Sequence, residues 1–437
     1  MNLSQAKQIV QTLHDAGHTA YFAGGCVRDM LMGRAPHDYD VATSATPGQV
    51  IGLFPRTESV GAAFGVILVI LDGIPTEVAT FRTDGDYSDG RRPDAVHFSS
   101  PEQDARRRDF TINGLFHDPL TGQTLDYVGG RDDLAGKLLR AIGEPSRRFA
   151  EDKLRLLRCV RFATTLDFRI EPATWAALEQ IAPQIAAVSV ERIREELTRI
   201  LTGPCAGRGL ELLRRSKLLD VILPEALAMV DCPQPPKWHP EGDVWTHTCL
   251  MLDSLDSPTP ELAWSVLFHD IAKPRCLSFD AEGIPHHYEH EKRGAEMAVE
   301  ILRRFKASNA LIEAVHSMVL HHMQFKDVQR MRTSTLKRMM ARPTYGEELR
   351  LHEADCLSSH RKLDNLEFLR AKAGEFGQEQ IAPPPLITGH DLIALGIPPG
   401  PGLGKWLREI TDLQLEGKLL TPEDARSYVR GLFNKMK

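Results

Sequence analysis

The chain of 437 residues has no apolar run long enough to cross a bilayer, and its first residues lack the basic-then-apolar pattern of a secretory leader. These absences speak against a membrane partner and make the cytoplasm the expected location. Cysteine is scarce and unpatterned: there are seven, an odd number, with no CxxC pair. That argues against a disulfide framework and for free thiols in a reducing compartment. The chain also lacks internal repeats and low-complexity tracts. It carries no excess of positive charge, and a net charge of −6 argues against a protein that coats nucleic acid indiscriminately. What remains, 42% hydrophobic and 26% charged, is an ordinary globular composition, and the length is too great for one core. Two to four domains are expected.

The most informative stretch runs from Ala23 to Thr43: Ala-Gly-Gly-Cys-Val-Arg-Asp, a short apolar helix, then His-Asp-Tyr-Asp-Val-Ala-Thr. Gly24 and Gly25 leave backbone N–H groups bare at the mouth of a helix, where a phosphate chain is favoured, and Arg28 lies one turn in. Asp38 and Asp40 alternate on an expected strand, so that both carboxylates project from one face. Two carboxylates so close repel unless a cation sits between them, and hard oxygen ligands favour Mg²⁺. A phosphate cradle beside a metal-binding pair is suited to nucleotide transfer.

Around this stretch the periodicities build a small mixed sheet. An amphipathic helix over residues 3–17 leads to a strand through Tyr21 and Phe22, and residues 66–72 and 76–80 form a hairpin turned at Gly73. Glu77 on that hairpin is a candidate third carboxylate. Residues 82–97 are polar, glycine-containing and without period, which predicts a mobile loop. A helix from Asp104 onward would mix Arg108, Asp109 and Asn113 with apolar residues, an arrangement suited to ribose and triphosphate contacts. From Ser146 a long helical tract is expected, burying Leu154, Leu157 and Val160 while Asp152, Arg155 and Arg158 recur on the other side. A carboxylate acceptor and a guanidinium one turn apart can read one base edge. The clustered arginines, from Arg106 to Arg161, could line a local positive groove for RNA on an acidic protein.

Composition shifts at the proline-rich joint around 231–240, and histidine then becomes frequent. His247, His269-Asp270, His290, His322 and Asp355 mix imidazole with carboxylate, which suits a transition metal better than calcium. A second proline-rich joint, Pro383-Pro-Pro, precedes two closing helices over 403–416 and 422–436.

Taken together, Gly-Gly-Cys-Val-Arg-Asp, Asp38-Tyr-Asp40, Arg107-Arg-Asp-Phe-Thr-Ile-Asn113, Glu151-Asp-Lys-Leu-Arg155 and Glu191-Arg-Ile-Arg-Glu-Glu resemble the class II tRNA nucleotidyltransferases, the bacterial CCA-adding enzymes and related poly(A) polymerases. The resemblance covers roughly residues 1–225; residues 240–360 look like an HD-type phosphohydrolase domain. It implies an α+β fold, with a small mixed β-sheet head followed by mostly helical domains. The expected boundaries are a catalytic head over 1–140, a nucleotide-selecting and RNA-binding part over 141–230, an HD domain over 231–380 and a helical tail over 381–437.

By this resemblance Asp38 and Asp40 hold Mg²⁺. Gly24, Gly25, Arg28, Arg108, Asp109, Asn113 and Arg158 bind nucleotide, and Asp152 with Arg155 selects CTP or ATP. The partners would be a tRNA 3′ end, CTP and ATP. Residues 82–97 correspond to the loop that such enzymes need to switch from C to A addition. His247, His269, Asp270 and Asp355 are the implied HD ligands for a divalent transition metal, with His290 and His322 as candidates for a second ion or for substrate. Tyr39 and Gly114 depart from the pattern without removing a functional group. The competing readings are an A-adding enzyme, a poly(A) polymerase, and a metal-dependent phosphohydrolase whose N-terminal half only presents RNA. A purely RNA-binding protein fits less well, because it would not need the Asp38/Asp40 pair.

Overall fold

The computed structural model describes residues 3–61, 64–85, 95–400 and 402–436. The chain divides into two compact units, Met1–Leu227 with Arg304–Lys306, and Ala228–Arg303 with Ala307–Lys437. All seven cysteines are unpaired, and among the described residues no helix is long and apolar enough to cross a membrane.

In the first unit, helix α1 (Leu3–Asp15) presents Ile9, Val10 and Leu13 to one face of a seven-stranded sheet, where they meet Phe22, Val41, Ile67, Val69 and Val78. The strands are β1 (Ala20–Ala23), β2 (Val41–Thr43), β3 (Thr57–Gly61), β4 (Val66–Leu71), β5 (Ile74–Thr80), β8 (Leu115–His117) and β9 (Thr124–Asp126), in the order β3-β4-β5-β2-β1-β8-β9. The sheet is mixed because β2 lies parallel to β5, with Val41 opposite Val78, while the other pairs are antiparallel. Asp72 (φ 51°) and Gly73 (φ 78°) close the β4–β5 hairpin with two left-handed residues, matching the twist of the strands it joins. Helices α2 (Gly25–Leu31) and α3 (Pro47–Leu53) follow β1 and β2.

Four local expectations change. Asp38 and Asp40 precede β2 instead of lying on it, although the Asp40 carbonyl still accepts the Ala23 N–H at 3.0 Å. The ends of the 82–97 segment are ordered: β6 (Arg82–Asp84) pairs antiparallel with β7 (Val96–Phe98), and the stretch 86–94 lies outside the described residues.

The helix from Asp104 is shorter than its pattern. Helix α4 (Pro101–Arg107) stops at Arg108, which is extended, and Thr111–Asn113 forms one 3₁₀ turn. The cause is non-local. Thr111 N–H donates to the Arg140 carbonyl at 3.0 Å and the Asp109 carbonyl accepts from Ile142 at 3.1 Å, so backbone groups that a helix would use internally are taken by residues 140–142. Gly114 then packs where an added Cβ would lie 2.7 Å from Val128 Cγ2, which accounts for glycine there.

The tract from Ser146 is two helices, not one. After the short helix α5 (Gly130–Ala135), α6 (Pro145–Glu151) and α7 (Leu154–Thr165) are separated by Asp152, whose backbone is extended (φ −138°, ψ 105°). Its carboxylate accepts the Leu154 N–H at 3.1 Å and so opens the second helix.

The second unit is helical apart from a small antiparallel ribbon, Leu277–Phe279 with Pro285–His287. Its apolar helix Pro260–Phe268, with Trp264 fully buried, packs on Asn309–His321 and Tyr345–Ser358. The closing helices Gly402–Leu415 and Pro422–Met436 share a core of their own with Ile387, Leu392 and Ile397.

Candidate active site

Asp40 lies beside Glu77, because the parallel β2–β5 register continues one residue past Val41–Val78. Its residue is open to solvent, yet protein atoms crowd the carboxylate. Desolvation first, then the charges of Glu77 and Asp38, push its carboxyl up to about 6, against the opposing pull of Arg108. Asp38 is 73% exposed in its side chain, with the His37 ring 2.8 Å away. Three acids with too few protein cations between them are a donor set for a hard divalent ion.

The glycine pair opens α2 next to this cluster. Gly24 has φ 75°, and an added Cβ would stand 2.9 Å from Arg108 Nη1, so only glycine lets the helix mouth approach that guanidinium. Arg108 is held by Asp104 at 3.0 Å, reaches the Asn113 carbonyl at 3.3 Å and lies over the Phe116 ring. Arg28, about one turn from the glycines, donates to Asn113 Oδ1 at 2.8 Å.

Asn113 in turn donates to Asp109 Oδ1 at 3.0 Å, and Arg158 closes on Asp109 Oδ2 through Nε at 2.9 Å and Nη2 at 2.5 Å. Burial alone would raise the Asp109 carboxyl; the Arg158 charge and the bonds from Asn113 and Arg158 instead hold it far below the carboxylate range. Arg28, Arg158 and Arg161 also approach the ring of Phe162. One continuous chain of polar contacts therefore runs from α2 to α7.

Asp152 and Arg155 do not share a helix face, because the break between α6 and α7 falls at Asp152. Arg155 is buried and committed to Glu151 at 2.8 Å, to the Arg148 carbonyl at 2.8 Å and to the Arg107 carbonyl at 3.3 Å. Asp152 Oδ2 faces Arg192 at 3.3 Å. From sequence alone Glu151 and Arg192 had no assigned role: Glu151 clamps Arg148 and Arg155, each at helical spacing from it, and Arg192 comes from the helix Val190–Leu201. The arginine run is likewise mostly engaged. Arg148, Arg155, Arg158 and Arg161 each hold a carboxylate, so neither a solvated face nor a bare groove describes them.

The second unit gathers the histidines. His269, His290 and His322 are buried, and each places Nδ1 on the carbonyl three residues earlier: Val266 at 2.8 Å, His287 at 2.7 Å and Val319 at 2.6 Å. A carbonyl can only accept, so in each ring Nδ1 carries a hydrogen and Nε2 is the atom turned inward. The Nε2 atoms of His290 and His322 stand 3.2 Å apart, and Asp270 lies 3.3 Å from the first and 3.1 Å from His269 Nε2. His269 Nε2 is buried without a hydrogen-bond partner. His247 lies between Glu241 at 2.6 Å and Asp355 at 3.2 Å, and His239 also reaches Glu241 at 2.9 Å.

Desolvation lowers His247, but Asp355 and Glu241 outweigh it and push the ring up to about 9, the response expected where carboxylates lack a cation. Converging lone pairs and carboxylates fit a divalent transition metal. His239, Glu241 and Lys273, which is 2.7 Å from Asp270, join the residues legible from sequence.

The arrangement has relatives. Residues 20–140 match the "Poly A polymerase head domain", residues 167–229 the "Probable RNA and SrmB-binding site of polymerase A", and residues 293–425 a second-domain model of tRNA nucleotidyltransferases. The CCA-adding enzyme of Geobacillus stearothermophilus is 46% identical over 215 residues, 49% of this chain and 53% of that enzyme, so this match spans about half of the relative's length. The CCA-adding enzyme of Streptococcus suis is 32% identical over 436 residues, 98% of this chain and 96% of that protein. Among solved structures, the Bacillus stearothermophilus CCA-adding enzyme in complex with CTP superposes with a TM-score of 0.76 at 27% identity, covering 99% of this chain and 98% of that one.

The Asp109 contact network makes a measurable statement. An ionised Asp109 held below the normal carboxylate range stabilises the fold above that range, a contribution lost only as pH falls through its lowered pKa. Arg158→Met strands the carboxylate, at a cost of about 3–5 kcal/mol near neutrality. Burial then dominates and the sign inverts, so the variant recovers as acid protonates Asp109. Urea unfolding at pH 7 and pH 4.5 should show a deficit that shrinks at the lower pH. An equal deficit at both would mean that Asp109 is not the stranded group.

Proposed function

This chain belongs to the family of the CCA-adding enzymes, and from that premise we propose that it completes the CCA 3′ end of tRNA from CTP and ATP without a nucleic-acid template. The observation that carries the reading is the acid cluster of Asp38, Asp40 and Glu77 in front of the glycine-opened helix mouth. Its crowded Asp40 carboxyl calls for a cation.

Asp38 and Asp40 would hold Mg²⁺, which supplies Lewis acidity to a ribose 3′-hydroxyl and neutralises triphosphate charge during in-line displacement. The chain's own groups do the rest. The Gly24 N–H is taken by the Leu115 carbonyl at 3.2 Å, so phosphate oxygens would be received at the N-terminus of α2 from Gly25 onward, and Arg28 and Arg108, pre-set on Asn113, add positive charge. Asp109, Asn113 and Arg158 keep that frame fixed against α7. The 82–97 segment, by family likeness, supports A addition as well as C addition. Free thiols throughout are consistent with a cytoplasmic setting. Transcripts ending before the first C, after the second C, or complete, offered CTP and ATP alone and together, separate CCA completion from A-only addition and from tailing. Asp40→Ala should lower incorporation at least about 10³-fold in a folded protein that still binds tRNA, the scale of losing a main electrostatic element of the transition state. Near-normal incorporation would overturn the metal assignment.

Base choice is assigned to Asp152 and Arg155. The contacts to Glu151 and two carbonyls fix the Arg155 guanidinium and leave it N–H donors to spare. Cytosine and adenine each present an amino donor beside a ring-nitrogen acceptor; uracil and guanine present the reverse. A carboxylate facing the amino group and a guanidinium facing the ring nitrogen accept the first pair, each contact being worth about 1–3 kcal/mol. Asp152→Ala with Arg155→Ala should therefore admit UTP or GTP in four-nucleotide incorporation assays while lowering the rates with CTP and ATP. An unchanged preference would place the template elsewhere.

A second centre is favoured by the three fixed imidazoles. We read His247, His269, Asp270 and Asp355, with His290 and His322, as an HD-type divalent-metal site hydrolysing phosphate esters. His269→Ala with Asp270→Ala should abolish Mn²⁺ retention measured by elemental analysis after dialysis and spare CCA addition. Equal metal content in the variant would remove the assignment.

A further inference from the structure

Trp238 is an indole with 45% of its surface exposed, an unusual position for so large an apolar ring. It is flanked by cations: Lys237 Nζ lies 5.3 Å and Lys362 Nζ 5.4 Å from the ring centroid. The His360 ring meets it at 5.9 Å, with planes 78° apart.

Its neighbours in sequence make the position meaningful. Trp238 directly precedes His239, whose ring lies 4.9 Å from that of His247. His360 and Lys362 follow Asp355 in the turn after the helix Tyr345–Ser358, where Ser359 Oγ donates to the Asp355 carbonyl at 2.6 Å. Asp355 and His247 are themselves 3.2 Å apart. The contact of Trp238 with His360 and Lys362 thus joins the segment that carries His239 to the turn that follows Asp355.

Resting on the metal-centre reading above, we propose that Trp238 is a stacking platform for a nucleobase and that the ligand of this centre is a nucleoside phosphate ester. An exposed aromatic face beside ammonium groups suits a flat base joined to a phosphate. The base occupies the indole face, and Lys237 or Lys362 turns from the ring to the phosphate oxygens. A simple phosphate ester would use the ions and lysines alone and leave the indole idle. Trp238 is then a specificity determinant, distinct from the metal ligands.

The test uses the full chain in chelator, so that stacking is read without turnover. Adenosine 3′-monophosphate should quench tryptophan emission. Calorimetry should show it binding at least about tenfold more weakly to Trp238→Ala, with Trp238→Phe within about threefold of the parent. Ribose 5-phosphate, which lacks a base, should bind the parent and Trp238→Ala alike. An RNA hexamer bearing a 3′-phosphate identifies the source of the ligand: tighter binding than the mononucleotide points to RNA ends, equal binding to free nucleotides, and both support the platform. If the parent does not distinguish adenosine 3′-monophosphate from ribose 5-phosphate, or if Trp238→Ala binds the nucleotide as the parent does, the ring is only a surface clasp and the proposal is wrong. Mn²⁺ retention, measured in parallel on chelator-free protein, keeps the two readings apart. Its absence defeats the metal centre, whereas its presence without base preference defeats the platform.

Discussion

The first unit depends on one buried anion. Asp109 sits where the chain leaves α4, and it is reached from the glycine-headed helix through Asn113 and Arg28 and from α7 through Arg158. A carboxylate in that position is tolerable only while its donors are in place, since burial by itself works against its charge. Each donor is therefore tied to a correct placement of its own helix. Helices α2 and α7 are registered against one another through this one carboxylate.

The same accounting separates acids that the protein satisfies from acids that it leaves wanting. Asp104 is buried and lies below the normal carboxylate range because Arg108 and Arg107 outweigh its desolvation. Asp40 moves the other way, because Glu77 and Asp38 crowd it and only Arg108 opposes them. In the second unit, Asp355 is held low by a histidine that is pushed up in return. A protein gains nothing in stability from concentrating unbalanced acids or converging lone pairs. Their concentration at two places, against a background of well-paired arginines, is the physical ground for the two cation sites proposed above.

Much of this was legible from pattern, for definable reasons. The hairpin at Gly73, α1, α2 and the apolar helix before His269 rest on local periodicity and turn chemistry, which the chain states outright. Two of the failures have one common source. The tract after Asp104 and the tract after Ser146 are both acceptable helices locally, and both are broken by partners far away in sequence. Residues 140–142 take the backbone around Asp109 and Thr111, and Arg192 takes the Asp152 carboxylate. Glu151 stands in the Glu151-Asp-Lys-Leu-Arg155 motif and lies three residues after Arg148 and four before Arg155, the spacing of helical ion pairs, but that it holds both arginines at once is seen only in the structure. In the second unit, the metal-ligand types were visible in sequence but the state of the rings was not. It comes from His269 and His322 at helix C-termini, where a carbonyl three residues back is free to accept, and from His290 at a helix start, bonded to the carbonyl of His287 in the preceding ribbon.

The break at Asp152 bears directly on the base-selecting role proposed for Asp152 and Arg155. On an unbroken helix, Asp152 and Arg155 would point outward on long side chains, and discrimination worth a few kcal/mol would be eroded by their freedom to swing. Ending α6 at Glu151 changes that. The extended residue at 152 ties its carboxylate to the start of α7 and to Arg192, and the Glu151 carboxylate and two backbone carbonyls pin the Arg155 guanidinium. Both groups lose their freedom when the protein folds and not when the nucleotide binds. In the proposed role, a fixed acceptor and a fixed donor would oppose a base with the wrong edge more strongly than two mobile ones.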